Sequence, residues 1–120
     1  MNRTWALRAV IAVVLATGPS AAAWSAQPED AAGRVVYERW CSHCHDPGLR
    51  HPGTNALTVK YRGQKSGVIR EWTDLTPELV RFWVRNGISV MAPFRKTEIT
   101  DAELAALARY LTRTGALPGG

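Results

Sequence analysis

Cysteine is scarce in this chain of 120 residues, which contains only Cys41 and Cys44. Two cysteines permit at most one internal disulfide. A bridge across the two intervening residues would close a loop too short to add much stability. The composition therefore excludes a disulfide scaffold, and the pair of cysteines must be explained by chemistry instead.

Long apolar runs are also missing. The longest, residues 9–17, covers about nine residues, whereas a helix needs about 20 to span a bilayer. This run follows Arg3 and Arg8 and precedes small residues, an order typical of a secretory signal peptide. We therefore expect residues 1–23 to be a signal peptide, with Ala26 as the alternative cleavage point, and residues 24–120 to form one periplasmic domain. An uncleaved membrane anchor is the competing interpretation.

Dense basic runs, internal repeats and low-complexity segments are absent as well. The formal net charge is +5, and removal of a leader containing Arg3 and Arg8 would lower it by two. Because the lysines and arginines are scattered, we expect no nucleic-acid partner. A domain of about 100 residues has a small apolar core, so we expect a large apolar cofactor to organise its interior.

Helical spacing and capping signals predict three main helices, at about residues 30–41, 76–87 and 100–115. The expected N-caps are Asp30, Thr76 and Thr100. The first helix leads directly into Cys41 and so delivers both cysteines. The third has the strongest pattern, because a capping box precedes an apolar stripe at helical spacing.

Residues 46–75 separate the first two helices and are rich in Gly, Pro, Thr and Asn. A loop of this length inside a small domain is expected to wrap a ligand. Within it, residues 56–63 fit either a strand or a helical turn that ends at Gly63. We expect no substantial sheet, so the predicted fold class is all-α with long loops.

The stretch "WCSHCH", residues 40–45, is open to three interpretations. A dithiol redox site of the thioredoxin kind follows a strand in a mixed sheet, and too little chain precedes Cys41 for that arrangement. A zinc site could combine Cys41, Cys44 and His45 with His43 or His51. The chain lacks, however, the second, well-separated ligand pair that such sites use. Covalent haem attachment fits the pattern, because two thiols bond the vinyl groups and the adjacent His45 binds the iron.

Methionine is as scarce as cysteine, because Met91 is the only one after the initiator. It lies in "NGISVMAPF", a loop between the second and third predicted helices, and Pro93 stiffens the approach to it. A thioether is a common axial ligand of haem iron, so we expect Met91 to be the sixth ligand. His43 and His51 are the competing candidates.

The pattern Gly33-x₃-Tyr37-x₃-Cys41-x₂-Cys44-His45 resembles class I c-type cytochromes. The resemblance covers the chain after the leader and implies a small all-α fold, with three main helices and long loops round one covalently bound haem c. It implies that the glycine lets the N- and C-terminal helices cross closely, with Tyr110 as the aromatic of the C-terminal helix. It also implies that the carbonyl of Pro52 accepts the ring N–H of His45 and that Leu57 contacts the haem. Trp72, Phe82 and Trp83 are further expected to pack against the haem.

Residues 75–111 are more narrowly similar to the cytochrome subunits of flavocytochromes that oxidise para-alkylphenols, of the p-cresol methylhydroxylase and eugenol hydroxylase type. The similarity lies in "VRNG", in Met91 with its proline, and in the helix "TDAELAALARYL". One departure is Ala92, which separates Met91 from Pro93 where many family members have the two adjacent.

The function predicted is outer-sphere transfer of single electrons, with no substrate reaching the metal. The protein is thus expected not to be an enzyme, and a flavoprotein dehydrogenase is the expected electron donor. A freely diffusing periplasmic carrier with several partners is the alternative. A haem enzyme or sensor with an open iron position, and a thiol oxidoreductase, are the remaining interpretations.

Overall fold

The computed structural model describes residues 28–114. The predicted leader and its cleavage point therefore lie outside the described residues. The helices are α1 (Pro28–Trp40), α2 (Ser42–His45), α3 (Pro52–Tyr61), a 3₁₀-helix (Ile69–Glu71), α4 (Pro77–Asn86) and α5 (Asp101–Thr114). No strand occurs in this part of the chain, so the predicted all-α class is confirmed. None of these helices is long and apolar enough to cross a membrane.

Local capping determines where α4 and α5 begin. The Thr76 hydroxyl accepts a hydrogen bond from the backbone N–H of Leu79, at 3.2 Å. The backbone N–H groups of Thr100 and Glu103 are satisfied reciprocally, at 2.8 and 3.2 Å, in the predicted capping box. The first helix differs from the prediction, because α1 begins at Pro28 and Asp30 lies within its first turn.

The segment after the cysteines is not a loop throughout, because α3 occupies its middle. Of the two interpretations for residues 56–63, the helical one is correct. The helix ends at Arg62 and Gly63, which adopt positive φ angles of 48° and 82°. Thr54 is the only buried residue of α3, so the helix has no apolar stripe by which the sequence could reveal it.

The two terminal helices cross at Gly33. A Cβ atom at this position would overlap the carbonyl oxygen of Ala106 and approach Cβ of Tyr110 to 2.5 Å. Tyr110 packs on Tyr37 of α1, with ring centroids 5.8 Å apart. The absence of a side chain at Gly33 is therefore what lets α1 and α5 pack in direct contact.

The core lies where α1, α4 and α5 meet. The α5 stripe predicted from the sequence is buried there, and Leu107 and Ala108 are 0% exposed. Val80 and Val84 of α4 pack against this stripe, and Ile99 fills the space before α5. These contacts hold α4 and α5 as one wall, beside which the loop containing Met91 begins.

Candidate functional site

An apolar cleft separates the cysteine segment from the loop after α4. It consists of two adjoining cavities, of about 110 and 580 Å³. Both cavities are lined by Cys41, His45, Leu57, Lys60, Ile88 and Met91. Val80 and Val84 from α4, with Leu107 from α5, form the apolar wall of the smaller cavity. The structure thus brings the predicted metal ligands to one cleft, although they come from distant parts of the chain.

The cysteine segment folds as a continuation of α1. The backbone N–H of Cys41 donates to the carbonyl of Tyr37 at 2.8 Å, which extends the helical hydrogen bonding by one residue. The N–H groups of Cys44 and His45 then donate to the carbonyl of Cys41, at 3.1 and 2.9 Å. Because residues four apart in a helix share a face, Cys41 and His45 both point into the cleft. Both cysteines are free thiols, and Cys44 is exposed at the rim.

The His45 ring is half-buried in the cleft wall. Burial lowers its pKa, so the imidazole is neutral at physiological pH, as a metal ligand must be. Its buried Nδ1 atom has no hydrogen-bond partner among the described residues. A Cβ atom at Gly53 would come within 3.0 Å of that nitrogen, so the α3 backbone lies directly against the ring. The hydrogen bond from His45 to the carbonyl of Pro52, which the resemblance implies, is not formed.

Met91 is held in a tight turn. The backbone N–H of Ile88 donates to the carbonyl of Met91 at 3.0 Å, and the reverse bond measures 2.9 Å. Gly87 starts this turn with φ of 72°, and a Cβ atom there would approach the Met91 carbonyl oxygen to 2.5 Å. Pro93 is exposed and flanks Gly87 instead of lining the cleft. Its effect on Met91 is therefore through the shape of the turn.

The competing histidines lie elsewhere. Neither His43 nor His51 is among the residues that line the cleft. His43 is exposed, and Nδ1 of His51 lies 3.2 Å from the His43 carbonyl oxygen. The geometry therefore favours Met91 over both as the partner of His45.

Most of the predicted packing residues do line the cleft. Leu57 lines both cavities, Trp72 and Trp83 line the smaller one, and Pro52 lines the larger one. Trp72 is 5% exposed, and its indole N–H donates to the carbonyl of Ser66 at 2.7 Å. This bond fixes the ring against the loop that follows α3.

Phe82, expected to pack against the haem, does not line the cleft. Its side chain is 60% exposed and lies outside both cavities. Successive helical residues point about 100° apart. Because Val80 and Val84 face the core, Phe82 between them faces solvent, and Trp83 takes the inward position. Tyr110 is buried but contacts Tyr37 at the helix crossing, so it supports the fold away from the cleft.

Sequence reasoning missed several residues of the site. Trp40 and Phe94 pack edge to face, with centroids 5.7 Å apart, and both line the larger cavity. Lys60 and Tyr61 line the cleft from the last turn of α3. Among the described residues of both linings, Lys60 is the only one with a permanent charge. The spacing of three residues between Leu57 and Lys60 indicates that they share a face only once residues 52–61 are known to be helical.

The thiols are not arranged for redox or zinc chemistry. Burial raises the pKa of Cys41 to about 12, whereas a reactive dithiol needs a cysteine whose pKa is lowered. Within residues 28–114, no three side chains of His, Cys, Asp or Glu lie close enough to share a metal ion. The dithiol and zinc interpretations therefore lack support from the described part of the chain.

The same residues fit a covalently attached haem. Two free thiols at one wall, the imidazole of His45 and the thioether of Met91 reach one apolar cleft. The apolar lining suits a flat macrocycle, and the thiols and ring nitrogen are the donor set that attaches and ligates it.

Comparisons with known proteins agree with this fit. A family model described as "Cytochrome C oxidase, cbb3-type, subunit III" matches residues 28–111. The chain is 29% identical over 105 residues to the 4-cresol dehydrogenase (hydroxylating) cytochrome c subunit of Pseudomonas putida. That alignment covers 86% of this chain and 80% of the relative. No solved structure matches the chain.

Proposed function

We propose that this chain, which belongs to the cytochrome c family as a class I c-type cytochrome, carries single electrons for a partner dehydrogenase. The family membership rests on the family model that matches residues 28–111. The protein is an electron-transfer protein and not an enzyme, and its family binds haem c covalently. The finer assignments, namely one haem, its ligands, the partner and the periplasmic location, are our proposal.

In this proposal, Cys41 and Cys44 anchor the haem through thioether bonds. This assignment is supported by the helical turn that follows α1, in which the carbonyl of Cys41 accepts two backbone hydrogen bonds. The first thiol lines the cleft and the second lies at its rim. When bound, the haem supplies one-electron exchange between ferric and ferrous iron, and thioether ligation favours the ferrous form.

In this proposal the imidazole of His45 and the thioether of Met91 would hold the haem iron. The observation that carries the proposal is that both side chains line the same cleft, although they are 46 positions apart in the sequence. His45 is held by the turn after α1 and Met91 by the turn after Gly87. With both side chains bound to the iron, no coordination position would be left for a substrate.

Electrons would enter and leave at the rim beside Cys44. Val90, which is 92% exposed, lines the larger cavity together with Cys44 and gives this rim an apolar surface. The proposed donor is a flavoprotein dehydrogenase that oxidises an alkylphenol. Its support is the relative from Pseudomonas putida, which is named as the cytochrome c subunit of 4-cresol dehydrogenase. The leader pattern at residues 1–23 supports the periplasm as the location.

Three measurements test the site. Mass spectrometry of protein from a host that attaches haem c should show one haem, lost when Cys41 and Cys44 are both replaced by serine. Met91→Ala should lower the reduction potential and let the ferrous protein bind carbon monoxide rapidly. Val59→Ala, which is 75% exposed on α3 and lies outside both cavities, is the control and should change neither property. An unchanged spectrum and potential in Met91→Ala would show that the thioether is not the ligand.

Co-purification tests the partner. A cytochrome subunit should elute with a flavin-containing protein and be reduced when an alkylphenol is added. A free carrier should elute alone and accept electrons only after mixing with donors. Rapid carbon monoxide binding by the unmodified ferrous protein would instead favour a sensor or enzyme with an open iron position.

A further inference from the structure

Four side chains that the proposed function does not use meet at the residue directly after the proposed haem ligand His45. We refer to Tyr37, Asp46, Thr54 and Arg70 as the Asp46 cluster. The Tyr37 hydroxyl donates to Oδ1 of Asp46 at 3.0 Å, and Nη2 of Arg70 donates to the same oxygen at 3.2 Å. The Thr54 hydroxyl donates to the backbone carbonyl of Asp46 at 3.0 Å. The residue directly after His45 is thus bonded to α1, α3 and the 3₁₀-helix.

The cluster is partly shielded from solvent. The side chains of Asp46 and Arg70 are each 34% exposed, whereas the ion pair Arg34–Glu38 on α1 is 66% and 55% exposed. The Arg70 guanidinium also lies over the Tyr37 ring, 5.1 Å from its centroid. Burial, reinforced by the bond to Asp46, raises the pKa of Tyr37, so its hydroxyl remains a donor at physiological pH.

We propose that Asp46 and Arg70 are positioning residues that hold the His45 segment in place and adjust the reduction potential of the site with opposite signs. This inference rests on the proposed function, because it assumes haem iron at His45. Asp46 is adjacent to His45 in the chain, and consecutive Cα atoms are about 3.8 Å apart. Its carboxylate is therefore the negative charge closest in sequence to the proposed ligand.

The signs follow from electrostatics. The oxidised site carries one more positive charge than the reduced site, so a nearby carboxylate stabilises the oxidised form and a nearby guanidinium destabilises it. Asp46 should therefore lower the potential and Arg70 should raise it. Because the pair is partly shielded, salt should weaken these effects less than those of fully exposed charges.

The test compares charge-neutralising variants of the haem-loaded protein. Asp46→Asn keeps an oxygen that can accept from Tyr37, and should raise the midpoint potential. Arg70→Gln should lower the potential, and the double variant should return close to the unmodified value. Arg70→Lys keeps the charge but loses the planar contact with Tyr37, so it should leave the potential unchanged and lower the urea midpoint.

Arg34→Gln and Glu38→Gln are the matched controls, because they neutralise an exposed pair of the same chemistry. Their shifts should be smaller and should vanish at high salt. Shifts of the same sign in Asp46→Asn and Arg70→Gln, or shifts no larger than those of the controls, would overturn the proposal. If Arg70→Gln fails to retain haem, the proposal is tested with Asp46→Asn and Arg70→Lys alone. An unchanged potential in Asp46→Asn would then overturn the proposal. Failure of the unmodified protein to attach haem would instead contradict the proposed function.

Discussion

Replacing Gly33 with alanine should destabilise the fold by separating α1 from α5. The added Cβ atom would overlap the backbone carbonyl of Ala106 and approach Cβ of Tyr110 to 2.5 Å. A backbone atom cannot rotate away, so the helices themselves must move. Overpacking of a close contact costs about 1–3 kcal/mol, and alanine recovers roughly 0.5–1 kcal/mol because glycine disfavours a helix. Because the backbone carbonyl cannot move aside, the overpacking cost should lie near its upper end. The free energy of unfolding should then fall by about 2 kcal/mol, which corresponds to a Tm lower by roughly 8–16 °C.

The assay is urea unfolding of the haem-loaded Gly33→Ala variant, followed by far-ultraviolet circular dichroism. Val35→Ala is the matched control, because Val35 lies on the same helix and is 63% exposed. Its stability should stay within about 0.5 kcal/mol of the unmodified protein. If Gly33→Ala is as stable as this control, the close crossing of α1 and α5 is not what requires the glycine.

Three further predictions concern α5. Thr100→Ala removes the capping box and should cost about 1 kcal/mol in urea unfolding, whereas Thr97→Ala, on the exposed turn before it, should cost little. Leu107→Ala should cost about 2–5 kcal/mol, because Leu107 is 0% exposed and its loss leaves a cavity; a smaller loss would mean that the core closes over the gap. Hydrogen bonds from Lys96 and Arg85 hold the pKa of Asp101 below its ordinary value, so its stabilising effect should be present at neutral pH and lost as the pH falls through the lowered pKa. Asp101→Asn should therefore be less stable than the unmodified protein at pH 7, and the difference should shrink towards pH 3; a constant difference would contradict the ion-pair explanation.

Features that depend on neighbouring residues could be predicted from the sequence. The caps at Thr76 and Thr100 act within one helical turn, so α4 and α5 begin where the pattern indicates. The turn from Cys41 to His45 is equally local, and its thiols and imidazole limit the site to the dithiol, zinc and haem interpretations. Family membership followed from the same motif, because its spacing is specific to covalent haem attachment.

Features that depend on distant contacts could not be predicted. Helix α3 carries no apolar stripe, since its inner face lies against the His45 ring and the cleft instead of the main core. Whether Trp83 or Phe82 lines the cleft depends on the rotation of α4 about its own axis. The packing of α4 against α5 determines that rotation.

The sequence alone determined the class of this protein and the identity of its candidate ligands, because helix caps and the haem motif act over a few residues. Only the tertiary structure brought Met91 to the same cleft as His45, and Arg70 to Asp46 across 24 positions. Such pairings depend on how whole helices pack, and helix packing depends on shape and burial summed over the entire chain. The local pattern around any one of these residues does not contain that information.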